Sequence, residues 1–433
     1  MACITVVGGG FGGAYALLEL ERVLGKEHEL LLFEPRARFV FTPLLHEVAS
    51  GVLDKDTVTI NYDDLFSRVR HIRHAVEQVD LKRKVVITKE GPAEKEYPFD
   101  YIIIGIGAKT NFFGKEYSER SLLELKSLED AIAIRATIEQ NVRKAATMLE
   151  HDPSAEVMSL LSAIVVGAGP TGVEVAGECI DFLKFRMKRE DIRSRKPLVT
   201  IISAKDAVLP NLDEHYQRVA KQVLERKGVA ILGNAKVTNV EENTAHVLQE
   251  AASERKNNRE GKHDEKMATV TKLNAACIIW TAGILPNMLA PFAAPIAVRD
   301  TLQAKDYDFA FAIGDSSRIE SGPLAALAQV ASKEGEAAAD NIARLIAGRK
   351  PVAFRFRNRG VLVSLGQKNG VGRIFGMPVR GFPAWFIMRT VYLFKFKNIR
   401  QELRTALVYT IRLFHRTRLY VGERIRVHGS KSY

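Results

Sequence analysis

At 433 residues, with 46% hydrophobic and 26% charged residues, the chain can support two or three domains with sizeable cores, and its composition excludes a disordered protein. The formal net charge of +12 is local: twelve basic against two acidic residues fall between Arg380 and Tyr433, and the rest of the chain is close to neutral. A single basic surface at one end does not suit a nucleic-acid groove, so no nucleic-acid partner is expected.

The first predicted strand, Ile4-Thr5-Val6-Val7, begins almost at Met1 and leaves no room for a signal or transit segment, which reads as cytoplasmic. It feeds the run Gly8-Gly9-Gly10-Phe11-Gly12-Gly13, after which Ala14, Leu17, Leu18 and Val23 have helical spacing. Glu34 ends the next apolar run, about twenty residues after the glycines, where a carboxylate can accept hydrogen bonds from a ribose. A buried strand, Tyr101–Ile104, runs into a glycine turn ending at Ala108.

The fingerprint then recurs. Ile164-Val165-Val166 leads into Gly167-Ala168-Gly169-Pro170-Thr171-Gly172, and Val173, Ala176 and Ile180 open a helix. Glycines at these places let the backbone approach a pyrophosphate, and the helix N-terminus offers unpaired N–H groups to its charge. Two such sites in one chain imply two dinucleotides, most economically a bound flavin and a visiting nicotinamide. The strand-turn pattern repeats at Ile278–Gly283, after a polar, charged loop around 254–262. A further strand, Phe309–Ile313, ends in Gly314-Asp315; that carboxylate suits a flavin ribitol, with a helix expected from about Leu324 pointing its N-terminus at the cofactor.

Cys3, Cys179 and Cys277 form neither a CxxC nor a metal-ligand spacing and read as core thiols; no metal is expected. In the tail, apolar runs are broken by Arg389 and Lys395 and are too short to span a bilayer. At helical spacing Ile399, Leu403, Ala406, Leu407, Leu413 and Phe414 share one face, opposite Arg404, Arg412 and Arg416. This fits a basic amphipathic helix lying on an anionic membrane.

The fold class expected is α/β, with two Rossmann-like dinucleotide-binding domains for FAD and NAD(P)H and a C-terminal amphipathic helical membrane-anchoring region. The boundaries are 1–112 with 297–355 for FAD, 113–296 for NAD(P)H, and 356–433 for membrane association.

The order of motifs resembles type II NADH dehydrogenase, a single-subunit NADH:quinone oxidoreductase of membrane surfaces that does not pump protons. The resemblance runs over nearly the whole chain. It rests on Phe41-Thr42-Pro43-Leu44-Leu45, the stretches 107–114 and 169–178, Ala328-Gln329-Val330-Ala331-Ser332, Leu365-Gly366-Gln367-Lys368-Asn369 and Gly381-Phe382-Pro383-Ala384-Trp385. It implies FAD held by Gly8, Gly10, Phe11, Gly12, Gly13, Glu34, Thr42, Pro43, Ala108, Gly314, Asp315, Ala328, Gln329 and Lys368. It implies NADH held by Gly167, Gly169, Pro170, Thr171, Gly172, Glu174, Ser203 and Gly283. Glu174, Gln329 and Lys333 are the candidates for catalysis. A membrane quinone would accept the electrons, and the enzyme is expected as a homodimer, peripheral on the cytoplasmic face of the cell membrane.

Two departures from the family pattern stand out. Lys333 and Glu334 occupy places where glutamines are usual, and the lysine could serve the flavin or pair with Glu334. Ser203 replaces the usual strand-end Glu, which removes the charge that repels a 2′-phosphate, so NADPH is admitted as a possible substrate beside NADH. The competing readings are a soluble NADH-dependent reductase of a carrier protein, a sulfide:quinone oxidoreductase-like enzyme, which would need reactive cysteines, and a non-enzymatic NADH-sensing flavoprotein.

Overall fold

The computed structural model describes residues 1–90, 93–115, 117, 122–250, 268–358, 360–393, 405–406 and 409–410. The chain divides into two compact units, one of Met1–Pro43, Thr59–Asn111 and Ile284–Asn358, the other of Leu44–Val58, Phe112–Gly283 and Arg359–Tyr433. Three segments thus fall differently from the sequence-drawn boundaries: 44–58 joins the second unit, 284–296 joins the first, and the described residues after 359 belong to the second.

Unit 1 is built on a parallel five-stranded sheet in the order Ala310–Ala312, Tyr101–Ile104, Cys3–Val7, Glu29–Phe33, Arg70–Ile72. Ile4, Val6, Leu30, Leu32 and Ile102–Ile104 have almost no exposure, as expected of continuous apolar runs in a sheet covered on both faces. Helix α1 (Phe11–Val23) follows the first strand directly. An antiparallel three-stranded sheet, Val76–Asp80, Val85–Glu90 and Ala93–Pro98, is inserted before Tyr101–Ile104.

Unit 2 repeats the plan. Its parallel sheet runs Leu123–Glu124, Ile278–Trp280, Ser162–Val166, Leu198–Ile202, Val229–Leu232. Its core gathers Ile164, Val166, Ile202, Val237, Val247 and Trp280. In chain order its helices include α2 (Leu45–Ala49), α3 (Leu128–His151), α4 (Pro170–Arg189) and α5 (Glu214–Lys227). Ser127 and Asp130 form a reciprocal cap on α3, and Gly228 closes α5 in left-handed backbone. In unit 1, α6 (Ala328–Ile346) packs against α1, where a Cβ on Gly335 would come within 2.2 Å of the Gly12 carbonyl oxygen. A further helix, α7 (Phe382–Leu393), belongs to unit 2 and packs on the three-stranded sheet Gly360–Ser364, Gly370–Ile374, Met377–Arg380.

Among the described residues no helix is long and apolar enough to cross a membrane. The amphipathic face expected in the tail and the charged loop around 254–262 lie outside the described residues, except for Ala406.

Candidate functional site

The two fingerprints repeat one another in geometry. Gly8 and Gly167 have φ of +97° and +112°, and an added Cβ would strike Gly105 O at 2.4 Å in one and Ala282 N at 2.9 Å in the other. Gly13 and Gly172 pack on the same turns, with Gly8 O and Gly167 O at 1.9 and 2.0 Å from a built Cβ. The middle glycines differ: a Cβ on Gly10 or Gly169 meets nothing within 4 Å. The outer glycines are needed to build each turn, whereas the middle ones keep an open approach to the backbone, the division of labour a pyrophosphate site requires. Each middle glycine is also the N-cap of its helix, with no side-chain cap and no acidic residue in the first turn. The helix ends therefore present N–H groups and positive potential to an anion. The geometry fits a dinucleotide in each unit.

In unit 1, Glu34 is buried beside the first cradle. Burial pushes its carboxyl up, but the Arg36 guanidinium and the backbone N–H groups of Gly9 and Arg36 outweigh this and hold it below its ordinary value. Gly9 N donates to Oε2 at 2.9 Å, Arg36 Nε to Oε1 at 2.8 Å and Arg36 Nη2 to Oε2 at 3.0 Å. Arg36 N completes the set at 3.1 Å, so the carboxylate's acceptor capacity is filled. A ribose hydroxyl would have to displace the half-exposed Arg36 side chain, the partner best able to turn away. Phe11 packs edge-on against Phe39 and Phe41, Thr42 and Pro43 lie on a one-turn helix with Thr42 exposed, and Ala108 starts a short strand paired with Ile284–Pro286.

Gly314 and Asp315 follow their strand as expected, but the next helix begins at Ala328 rather than near Leu324. Pro323 to Leu327 are not helical, and Leu327 caps the helix without a side-chain hydrogen bond, so Ala328 and half-buried Gln329 stand in its open first turn. Leu324 and Leu327 instead line a cavity of about 80 Å³ with Gly314, Asp315, Ala331 and Glu334. Glu334 is the residue that sequence reasoning undervalued here. It is buried, accepts the Gly314 N–H at 2.6 Å, and is pushed up to about 7 by burial and by the Asp315 charge, with the Gly314 bond opposing. Lys333, named as a catalytic candidate, faces solvent; its ammonium pairs with Glu336, not Glu334, and it does not line the cavity.

In unit 2, Thr171 is exposed in the first turn of α4, after Pro170, whose missing N–H suits that place. Gly283, at φ +74°, ends the turn after Ile278–Trp280. Ser203 is buried at the end of its strand and turned inward: its hydroxyl donates to Ala207 O at 2.9 Å and accepts the Lys205 N–H at 3.3 Å. The Ser203 hydroxyl is thus not offered outward, whereas Lys205 is exposed. Lys368, grouped with the flavin ligands from sequence, lies in unit 2 on an exposed turn at φ +58°.

Glu174, Glu178 and Asp181 follow one another at intervals of four and three on α4 and so share a face. A Cβ on Gly177 would lie 2.6 Å from the Leu365 carbonyl carbon, so glycine there lets the 364–366 backbone press against the helix. Ser364 N consequently donates to Glu174 Oε1 at 3.2 Å. From α2, His46 Nδ1 lies 3.8 Å from Glu174 Oε2, and Ser50 donates its hydroxyl to Glu178 Oε2 at 3.2 Å. Fully buried Glu47 forms an ion pair at 2.7 Å with Arg389 of α7, whose guanidinium also lies 3.7 Å from the Trp385 ring centre. Asp181 pairs with Lys227.

Three carboxyls thus share one arginine. Burial above all, then the neighbouring carboxylates, push Glu174 up to about 8 and Glu178 to about 7; the Ser364 N–H on Glu174 and the charge of Arg389 oppose. Near neutral pH this group can hold and release protons. Sequence reasoning found Glu174 and missed His46, Glu47, Glu178 and Arg389. Buried Ala384, Trp385, Met388 and Arg389 also pack one face of α7 into the core of unit 2.

Cys179 and Cys277 are buried, with thiols pushed up by burial, Cys277 to about 12; Cys3 is pushed up to about 11. None is poised as a thiolate nucleophile.

Comparison with known proteins agrees with this geometry. A type II NADH:quinone oxidoreductase of Mycobacterium tuberculosis is 26% identical over 427 residues, covering 94% of this chain and 87% of that one. One of Staphylococcus aureus is 26% identical over 401 residues, covering 90% and 93%. The structure of NDH2 from Plasmodium falciparum in complex with NADH superposes with a TM-score of 0.82 at 19% identity, covering 96% and 98% of the two chains. These relatives meet the resemblance drawn from the motifs. The family model of pyridine nucleotide-disulphide oxidoreductases matches residues 3–335, and with both nucleotide cradles inside that span the chain belongs to this family.

Proposed function

We propose that the chain is a type II NADH:quinone oxidoreductase carrying FAD. The observation that carries this reading is the pair of cradles, each with an open middle glycine at an uncapped helix end. The names of the relatives support the choice of substrates. Gly8–Gly13, Glu34 and Asp315 would hold FAD, and Gly167–Gly172 would hold the nicotinamide dinucleotide. When bound, FAD supplies the capacity to take a hydride from NADH and to pass two electrons to a quinone.

The chain's own part is to bind, orient and handle protons. Glu174, with Glu178 and His46 behind it, is assigned to holding a proton for quinone reduction, and Gln329 to the open end of α6. Lys333 is not retained in a catalytic role because of its solvent-facing ion pair. The enzyme is read as peripheral on the cytoplasmic face of the cell membrane, through its basic C-terminal segment, and as a homodimer.

The test is purification in mild detergent, a flavin spectrum, anaerobic reduction by NADH and by NADPH, and reoxidation by a short-chain quinone. Bound flavin that NADH reduces and quinone reoxidises is the expected result. Reduction without quinone reoxidation would favour a sensor or a carrier-protein reductase.

A further inference from the structure

The hairpin of Gly370–Ile374 and Met377–Arg380 contains a local conflict. Ile374 pairs with Met377, so the loop is only Phe375-Gly376, with φ of +50° and +84°. A two-residue turn with both φ values positive favours Asn-Gly or Asp-Gly, since a bulky side chain is strained in left-handed backbone. Here the strained place holds phenylalanine, and the residue is 74% exposed. Met377 beside it is 64% exposed. Neither turn chemistry nor burial within the chain accounts for an aromatic ring at this tip. A local rule broken without internal compensation marks a place shaped by function.

The surroundings indicate what meets it. On α7, which packs against both strands of the hairpin, Phe382 and Phe386 are 45% and 44% exposed and stack one turn apart, while Ala384, Trp385 and Met388 are buried. From Gly360 to Leu393 the sequence contains no Asp or Glu, and its exposed cations are Lys368, Arg373 and Arg380, Arg389 being buried against Glu47. Arg373 and Arg380 are exposed on the hairpin itself; Arg373 lies 3.6 Å from Asp213. Exposed aromatic and thioether groups beside Arg373 and Arg380, on a hairpin that itself carries no acidic residue, match the headgroup region of an anionic bilayer.

We propose that the Phe375-Gly376-Met377 tip, with Phe382 and Phe386 of the adjoining helix, is a docking surface for anionic lipid, in which Phe375 and Met377 enter the interface and Arg373 and Arg380 meet the headgroups. This rests on the reading that quinone is reached at a membrane, and adds a folded docking element to the basic tail.

The decisive variant is Phe375→Asn in the full-length flavoprotein. Asn suits the turn better, so the variant should be at least as stable thermally as the parent while binding vesicles containing phosphatidylglycerol about tenfold more weakly. Turnover with a long-chain quinone held in those vesicles should fall, while turnover with a soluble short-chain quinone should not. A second variant, Phe375→Trp, should show added tryptophan emission that shifts to shorter wavelength on adding vesicles. If the parent protein binds no vesicles, the membrane reading fails and this proposal with it. If the parent binds and Phe375→Asn binds equally well, only the docking surface is overturned. Conversion of a dimer to a monomer by Phe375→Asn, read by light scattering, would also overturn it, by making the tip a contact between copies of the chain.

Discussion

Replacing Glu174 by Gln keeps the shape of the side chain and removes its charge, which gives a stability test independent of any assumption about catalysis. Burial, reinforced by Glu47 and Glu178, raises this carboxyl from 4.5 to about 8 against the Ser364 hydrogen bond and Arg389. Between those two values the folded protein holds a proton that the unfolded chain has lost, so stability must fall as pH rises through the window. At 1.36 kcal/mol per pH unit the whole effect is roughly 5 kcal/mol, of which roughly 3 kcal/mol falls between pH 5.5 and 8. Glu174→Gln stays neutral throughout and escapes this loss. Urea unfolding across that range should therefore show the variant gaining on the parent by roughly 3 kcal/mol toward pH 8, with the curves converging in acid. Parallel curves would refute the reasoning, because they would mean that the carboxyl ionises as easily in the folded state as in the unfolded one. Should the curves diverge as expected, FAD should remain bound in the variant while reduction by NADH or reoxidation by quinone slows about tenfold. Normal rates in both half-reactions would leave Glu174 as a buried structural acid.

The cradles give a paired test: at Gly10 and Gly169 a Cβ meets nothing within 4 Å, so Gly10→Val and Gly169→Val should both fold, the first losing flavin absorbance and the second keeping flavin but failing to be reduced by NADH. Loss of folding in both would return these glycines to a purely structural role. With no carboxylate at position 203, the ratio of catalytic efficiencies for NADH over NADPH should lie within about a factor of thirty, and Ser203→Glu should raise it about tenfold or more, measured by stopped-flow reduction with each nucleotide. Deleting residues 411–433, rather than cutting before Phe382, removes basic sequence without breaking the Arg389–Glu47 pair, and should weaken vesicle sedimentation while leaving NADH reduction intact. In the intact enzyme, high salt should loosen but not abolish membrane binding, because apolar burial survives screening; complete release by salt alone would count against an inserted apolar face.

What could be read from the sequence followed from how local each constraint is. The fingerprints were legible because one turn of backbone requires glycine at Gly8 and Gly13, and the same turn recurs at Gly167 and Gly172. The strands were legible because parallel strands covered on both faces must be continuously apolar. The start of α6 was not, since Leu324 to Leu327 have helical composition and only their place along the cavity wall shows otherwise. The burial of one face of α7 was not legible for a related reason: the partner of Arg389, Glu47, lies in a distant part of the chain.

The acid cluster shows where local reading ends. Of the acids on this helix only Glu174 was singled out from the sequence: helices commonly present acids to water, and nothing within 170–189 says that this helix is covered on nearly every side. Burial is imposed by α2 and by the sheet and helix beyond residue 360, brought close through Gly177. Once covered, Glu174 and Glu178 cannot both ionise cheaply beside the Glu47 charge, and burial with those neighbouring carboxylates raises the proton affinity of both against the pull of Arg389. Reduction of a quinone consumes two protons, and a buried site must supply them from groups that are protonated near neutral pH. On the proposed reading of Glu174 as the proton holder, packing that looks unfavourable as a set of ion pairs is what keeps its carboxyl protonated near neutral pH, with the charge of Arg389 opposing that rise.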